Sequence, residues 1–242
     1  MTKYSGWNSG GLMKNALVYG FARAGTSMTC GVINCLNVHM LTSVPKPKQL
    51  MHNPKGMFEI PAHLGPVFVK EIKKSKNYKA IEKKLHKTIH ERFAPYLPKT
   101  GNWGVKGFGI EGQQILLYYM KNPHVIAIFR NPINQAKSFQ SLRYDNDGIL
   151  TPLPSLIKEM IQNQSQMTKE IDIMRSLGFP VIETTYEDMK LQPWKEAQRI
   201  AEFMKIKPTA EMEKSVKQFV DPTLHTWKHQ GSNIVSTVKE KK

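Results

Sequence analysis

The sequence contains only two cysteines among 242 residues, and this scarcity argues against a disulfide-stabilised protein and against a protein with a cysteine-ligated metal. Cys30 and Cys35 lie five positions apart on a predicted helix, so they point to different faces and a disulfide between them is not expected. They also lack the spacing of a metal site, and no metal site is predicted elsewhere in the chain. Cysteine usage of this kind is typical of a reducing compartment.

Long apolar runs are also absent from the sequence. No run approaches the ~18 residues that a membrane-spanning helix needs. The polar, Gly- and Ser-rich residues 1–13 have no apolar signal core. We therefore predict a flexible arm at 1–13, one α/β domain at 14–225 and a basic tail at 226–242. Together with the cysteine usage, this favours a protein of the cytoplasm.

Acidic residues are few, since 19 Asp and Glu stand against 35 Lys and Arg, which gives a formal net charge of +16. An excess of this size suits an anionic ligand, nucleic acid or an acidic surface, and it does not choose among them. Many of the lysines lie at 64–93, a predicted helical region with an apolar stripe. We interpret these lysines as a solvated helix face; the alternative is a platform for an acidic acceptor or nucleic acid.

Residues 14–36 form the stretch around which the other motifs are arranged. The apolar run Ala16–Tyr19 predicts a buried strand, residues 20–25 a tight turn, and Thr26 onward an amphipathic helix. A strand, a glycine-bounded turn and a helix make the geometry of a phosphate-binding loop. In such a loop, backbone N–H groups and the helix dipole attract an anion.

This turn departs from the P-loop of nucleoside-triphosphate enzymes at one position. Gly20 and Gly25 fit the pattern G-x-x-x-x-G-K-[ST], and so does the hydroxyl of Ser27. Thr26, however, replaces the lysine that would contact the β- and γ-phosphates. The only cation in the loop is Arg23, at its middle. The loop therefore favours a different anion.

Further strands and helices alternate along the chain. Apolar runs predict strands at 103–106, 124–129 and 181–185. Helical spacing predicts helices at 113–120, 132–142, 152–177, 193–204 and 211–220, and turn-forming residues predict a loop at 39–56 and a turn at 145–148. This alternation predicts a single α/β domain with a parallel sheet covered by helices on both faces.

A second set of polar residues follows the predicted strand 124–129. Arg130 leaves the carboxyl end of that strand, the edge where open α/β sheets bind ligands. Ser138 lies eight residues further on, two turns along the next helix. An arginine offers a bidentate fork to a phosphate, and a serine hydroxyl adds a donor. Neither this strand nor 181–185 ends in the aspartate that would hold Mg²⁺ in an NTPase.

These motifs together resemble those of sulfotransferases that use 3′-phosphoadenosine 5′-phosphosulfate (PAPS). The segment GFARAGTSMT, residues 20–29, is similar to their 5′-phosphosulfate loop, and Arg130 with Ser138 matches their 3′-phosphate pair. Tyr186, in TTYEDMKLQP, matches the tyrosine that contacts adenine; an ordinary buried tyrosine is the alternative. The resemblance implies a P-loop-kinase-like parallel β-sheet flanked by helices.

The resemblance also implies roles for individual residues. PAPS would be bound by the loop and by the two later motifs, through Arg23, Ala24, Gly25, Thr26, Ser27, Arg130, Ser138 and Tyr186. Arg23 would stabilise the leaving 5′-phosphate. Lys106 resembles the lysine that the family places near the sulfuryl group, with an ordinary surface charge as the alternative. No metal is implied.

The general base is the open point of this assignment. Many family members have a histidine two residues after the lysine or its neighbour, and this chain has Phe108 there. The candidates are Glu59, His52 and His63. Glu59 leads because a carboxylate accepts a proton and because NPKGMFE, residues 53–59, resembles a segment of some bacterial sulfotransferases.

The sequence thus predicts sulfuryl transfer from PAPS to a hydroxyl of an acceptor, which the basic surface would suit if that acceptor is acidic. Two alternatives stay open. One is a P-loop kinase or NTPase, which would require ATP with Mg²⁺. The other is a non-catalytic basic protein that binds nucleic acid, although nucleic acid is not the favoured partner. The identity of the acceptor and the oligomeric state are not predicted.

Overall fold

A computed structural model of the chain describes residues 13–41, 101–107, 117, 120, 122–148 and 150–220. The strands are β1 (Asn15–Tyr19), β2 (Val38–Met40), β3 (Asn102–Gly107), β4 (Pro123–Phe129) and β5 (Val181–Thr185). The helices are α1 (Thr26–Cys35), α2 (Pro132–Asp147), α3 (Leu153–Ser176), α4 (Tyr186–Leu191), α5 (Pro193–Phe203) and α6 (Ala210–Phe219). The lysine-rich region, most of the predicted helix 113–120 and the tail lie outside the described residues. No described helix has the length and apolar character that a membrane-spanning segment requires.

Five parallel strands form one sheet in the order β2-β3-β1-β4-β5. β1 lies at the centre, where Asn15 pairs with Trp103 of β3 on one side and with Pro123 of β4 on the other. β5 closes the far edge, with Val181 opposite Val125 of β4. The predicted parallel sheet is confirmed.

Successive residues of β1 point to opposite faces of the sheet, and helices cover both faces. Ala16 and Val18 lie in a core shared with α1, α5 and α6. Leu17 and Tyr19 lie in a second core shared with α3. All four side chains are at most 1% exposed. β1 is apolar at each of these positions because neither of its faces meets water.

One apolar stripe on α3 contacts both the sheet and α2. Its buried apolar residues recur at helical spacing, as Leu156, Met160, Met167, Ile171 and Met174. The last three pack in the core beneath β1. The first two pack with Ala136 of α2. α3 therefore ties α2 to the body of the sheet.

The helix α2 is longer than the sequence predicts. The predicted helix ends at residue 142 and a turn follows at 145–148, but α2 continues to Asp147. No glycine or proline interrupts residues 133–147, so the helix continues until Gly148, which adopts a left-handed conformation with φ of 67°. The predicted turn is therefore wrong over 145–147, and the glycine marks the end of a helix.

Two short elements lie where no regular structure is predicted. β2 occupies the start of the predicted loop 39–56, because Val38 and Met40 are buried and pair with β3. α4 follows β5 directly, because the Asp188 N–H donates to the Thr185 hydroxyl at 3.0 Å and so caps the helix. The loop prediction is wrong at its first two residues, and the helix at 186–191 is missed.

Candidate functional site

The loop 20–25 lies at the carboxyl edge of the sheet, beyond its central strand. From β1 the chain crosses to β2 and β3 on one side, whereas β4 and β5 lie on the other. β1 therefore stands at a topological switch point, where open α/β sheets bind their ligands. The neighbouring strands place one cation on each side of the loop, Lys106 near the end of β3 and Arg130 after β4.

Two glycines allow the loop to pass close to its neighbours. A Cβ at Gly20 would lie 2.9 Å from the carbonyl oxygen of Ile128, which is backbone and cannot easily move. A Cβ at Gly25 would lie 2.6 Å from Cδ2 of Tyr186. Gly25 also has a φ of 105°, a conformation in which other residues are strained. Close contacts on two sides therefore require both glycines.

The amino end of α1 faces this turn. α1 begins at Thr26, no described side chain caps it, and its first turn holds no acidic residue. The first N–H groups of a helix have no partner within the helix, and the helix dipole adds positive potential there. This end suits an anion. The N–H of Ala24 serves the turn itself, because it donates to the Phe21 carbonyl at 3.1 Å.

Arg23 connects the loop to the second predicted motif. Its backbone lies in the left-handed region, with φ of 65°. Its Nε donates to Oγ of Ser138 at 2.9 Å, and its carbonyl accepts from Nη1 of Arg130 at 2.9 Å. Ser138 is 1% exposed and Arg130 8% exposed. The structure therefore brings three predicted site residues into direct contact.

The guanidinium of Arg130 lies over the ring of Tyr186. Its Cζ lies 4.1 Å from the ring centroid, and its Nε has no hydrogen-bond partner among the described residues. Burial lowers the pKa of Arg130, and burial followed by the positive charge of Arg130 lowers the pKa of Arg23. Arginine stays protonated at neutral pH even so. A buried and a half-buried positive charge side by side favour an anion next to them.

Lys106 approaches the start of α1 from the side of β3. It is 3% exposed, and its Nζ donates to Oγ of Ser27 at 3.4 Å. Thr26, which occupies the place of the P-loop lysine, is buried at 5% exposure. A cation from β3 therefore lies beside a loop that lacks its own lysine.

The starts of α2 and α4 are linked beside Arg130. Oδ1 of Asn131 accepts from the Ile133 N–H at 3.0 Å and so caps α2. The backbone N–H of Asn131 donates to Oε1 of Glu187 at 3.2 Å. Burial is the main influence on the pKa of Arg130, and Tyr186 and Glu187 act in the opposite direction to raise it. Glu187 therefore helps to keep a buried cation in place.

Two glutamines of the site are not predicted from the sequence. Gln135 on α2 and Gln164 on α3 donate hydrogen bonds to backbone carbonyls of the loop and of the β4 end. The position of each glutamine along its helix is the feature of the sequence that could have identified it. Gln135 lies one turn before Ser138 on the same face of α2. Gln164 falls within the apolar stripe of α3, one turn after Met160, where a polar residue is unexpected.

The predicted bases lie outside the described residues, so Glu59 stays a prediction, as do its alternatives His52 and His63. Within the described part of the chain, no group of three or more His, Cys, Asp and Glu side chains could hold a metal ion. Cys30 and Cys35 do not form a disulfide. Burial raises the pKa of Cys30 to about 12, so this thiol is unreactive at neutral pH.

Solved structures of sulfotransferases have the fold of this chain. Sulfotransferase STF1 of Mycobacterium tuberculosis is similar with a TM-score of 0.50 and 12% sequence identity, over 89% of this chain and 75% of that one. The sulfotransferase domain of the Synechococcus PCC 7002 olefin synthase is similar with a TM-score of 0.50 and 17% identity, over 91% of this chain and 84% of that one. No protein-family model and no curated protein sequence matches the chain. The chain therefore has a sulfotransferase fold.

Proposed function

We propose that this protein is a sulfotransferase that moves the sulfuryl group of PAPS to a hydroxyl of an acceptor. The observation that carries the proposal is the meeting of Arg23, Arg130 and Ser138 at the amino end of α1. Two charged guanidiniums and a buried hydroxyl beside an uncapped helix suit a ligand with more than one anionic group. Tyr186 adds an aromatic face to the same place.

The described residues fit PAPS at both of its phosphate-bearing ends. Arg23 and the first N–H groups of α1 would hold the 5′-phosphosulfate end, with the hydroxyls of Thr26 and Ser27 next to them. Arg130, whose Nε has no described partner, and Ser138 would hold the 3′-phosphate. The ring of Tyr186 would face the adenine. The co-substrate supplies an activated sulfuryl group with a phosphate as its leaving group.

The chain would contribute charge and position to this transfer. Arg23 and the dipole of α1 would stabilise the negative charge that develops on the leaving 5′-phosphate. Lys106, hydrogen-bonded to Ser27 at the start of α1, would stabilise charge on the sulfuryl oxygens. Glu59 would take the proton of the acceptor hydroxyl. The site would hold these groups in line, which removes the entropy cost of bringing them together at each turnover.

Thermal stability with nucleotides tests the proposal without knowledge of the acceptor. Adenosine 3′,5′-bisphosphate at about 100 times its Kd adds about 2.7 kcal/mol to the free energy of unfolding. This corresponds to a rise in Tm of about 5–10 °C for a domain of this size. We expect the rise with the bisphosphate alone, and its loss in Arg130→Ala.

Arg175→Ala is the matched control for this experiment. Arg175 lies at the end of α3, where it is 44% exposed and paired with Glu183, so its loss leaves the loop intact. The rise in Tm should survive this change. A rise with ATP and Mg²⁺ alone would favour the kinase alternative. The non-catalytic nucleic-acid-binding alternative would be favoured by no rise with either nucleotide together with binding of nucleic acid. That nucleic-acid affinity should then fall steeply with salt and survive the double change Arg23→Ala and Arg130→Ala.

The acceptor is the next question once the nucleotide binds. Incubation with ³⁵S-labelled PAPS and a panel of sugars, phenols, lipids and small alcohols would show which class receives the label. A hydroxyl-bearing acceptor and a cytoplasmic location stay predictions from the sequence. Label on no member of the panel and no release of sulfate from PAPS would count against catalysis, even if the nucleotide binds.

A further inference from the structure

Two side-chain amides form a continuous hydrogen-bonded chain around the site. Nε2 of Gln135 donates to the Ala22 carbonyl at 2.9 Å, and Oε1 of the same side chain accepts from Nε2 of Gln164 at 3.0 Å. Nε2 of Gln164 also donates to the Arg130 carbonyl at 2.5 Å. The chain therefore runs from the loop through α2 to α3 and back to the end of β4.

These two amides, together with Arg130, donate hydrogen bonds to three backbone carbonyl oxygens at the edge of the site. Gln135 holds the carbonyl of Ala22, Arg130 holds that of Arg23, and Gln164 holds that of Arg130. A carbonyl oxygen carries partial negative charge and repels an anion, so it must be satisfied elsewhere if an anion is to bind nearby. Donors from α2, from α3 and from Arg130 itself satisfy these oxygens within the protein.

We infer that Gln135 and Gln164 are positioning residues that fix the loop of Arg23 relative to Arg130. On the proposed function, on which this inference rests, the two arginines hold opposite ends of one nucleotide, so their separation decides which nucleotide fits. Glutamine suits this role because one amide both donates and accepts and carries no charge. A charged residue at either position would alter the field at the anion site.

Burial alone offers a competing explanation for the two glutamines. Gln135 is fully buried between α2 and α3, and its amide needs partners wherever it lies. In that case a substitution would lower stability and leave ligand preference unchanged. In the positioning role, a substitution weakens a ligand with two anionic ends more than a ligand with one, because only the first depends on the separation of the two arginines.

Calorimetric titration with two ligands distinguishes these explanations. The ligands are adenosine 3′,5′-bisphosphate and adenosine 5′-phosphate, and the variants are Gln135→Met and Gln164→Met, which keep side-chain length and remove the amide. We expect the Kd of the bisphosphate to rise about tenfold in each variant, as loss of an oriented hydrogen bond predicts. The Kd of the monophosphate should change less. Both amides belong to one chain, so the double variant should lose little more than Gln164→Met alone.

Gln166→Met is the matched control, because Gln166 lies on the same helix and donates to Oε1 of Glu170 at 3.0 Å, away from the loop. Its nucleotide affinities should equal those of the unchanged protein. Equal losses for both ligands, or none, in folded Gln variants would overturn the positioning role and leave the proposed function standing. Failure of the unchanged protein to bind the bisphosphate would overturn both. If Gln135→Met does not fold, Gln164→Met, at a half-buried position, decides the question.

Discussion

The guanidinium of Arg130 lies over the ring of Tyr186, with 4.1 Å between Cζ and the ring centroid. The same ring occupies the space that a side chain at Gly25 would need. One tyrosine thus contacts both the strand-end arginine and the loop 20–25, although the three residues come from distant parts of the chain. We therefore expect the ring, more than its hydroxyl, to shape the site.

Substitutions of Tyr186 test whether the ring shapes the site. Tyr186→Phe keeps the stacked ring, so the Kd for adenosine 3′,5′-bisphosphate should stay within about twofold of its original value. Tyr186→Ala removes the ring, and a partly buried cation–π contact of about 1–2 kcal/mol corresponds to a Kd about 5–30-fold higher. Calorimetry on both variants measures this. Equal Kd values for Phe and Ala variants would show that the ring contributes nothing.

Lys106 should affect turnover more than binding. Removal of a charge that acts on the transferred group costs about 10²–10³ in rate, whereas the product nucleotide lacks that group. We expect Lys106→Ala to slow the release of sulfate from PAPS by this factor and to leave the Kd of the bisphosphate nearly unchanged. Lys137→Ala is the control, because Lys137 is an exposed lysine on α2. A parallel loss of rate and affinity would instead assign Lys106 to nucleotide binding.

Gly31 is a packing position between α1 and α6. A Cβ there would lie 1.8 Å from Cζ of Phe219. Alanine favours a helix over glycine, but this overlap should make Gly31→Ala less stable by about 1–3 kcal/mol. In a Phe219→Leu background the same change should cost less, since the ring is gone. Urea unfolding of the unchanged protein, both single variants and the double variant gives the interaction energy. Strictly additive changes in the free energy of unfolding would contradict the overlap.

Glu170 should make stability depend on pH. It is 4% exposed, and its Oε2 has no hydrogen-bond partner among the described residues. Burial raises its pKa above 4.5, so the folded protein holds this proton to a higher pH than the unfolded chain. The contribution of Glu170 to the free energy of unfolding therefore falls as pH rises from 4.5 through the raised pKa.

Glu170→Gln removes this titration. We expect a higher Tm than that of the unchanged protein at about pH 7.5, and a smaller gain below about pH 4.5. Thermal unfolding at several pH values measures the difference. A constant difference across the pH range would mean that Glu170 does not titrate in this window.

The local pattern of the sequence predicts the sheet and several site residues, because apolar runs mark buried strands whatever their partners. The spacing of Arg130 and Ser138 is likewise local, since Ser138 follows Arg130 by eight residues, on the helix that begins just after the strand. The contact of Arg23 with Ser138 joins residues 115 positions apart, and no local sequence pattern predicts a contact over such a separation. The resemblance to a family assigned both residues to one nucleotide but did not predict the hydrogen bond between them.

Other features depend on contacts that the sequence does not display. Val38 and Met40 form β2 only because β3 lies beside them. Gln164 is informative only once the buried stripe of α3 is known, because glutamine is common on exposed helix faces. The helix α4 could have been predicted, since Thr185 and Asp188 have the spacing of a helix cap.

The central position of β1 has a consequence for synthesis of the protein on the ribosome. The N–H of Lys14, just before β1, donates to the side chain of Asn102, 88 positions later in the chain. At about 5–20 residues per second, translation needs roughly 4–18 s to make that stretch. The apolar strand that leads into the loop 20–25 is therefore made before both of its neighbours and stays unpaired for seconds. Nascent chains of this protein should depend on chaperones that shield β1 until β3 and β4 emerge.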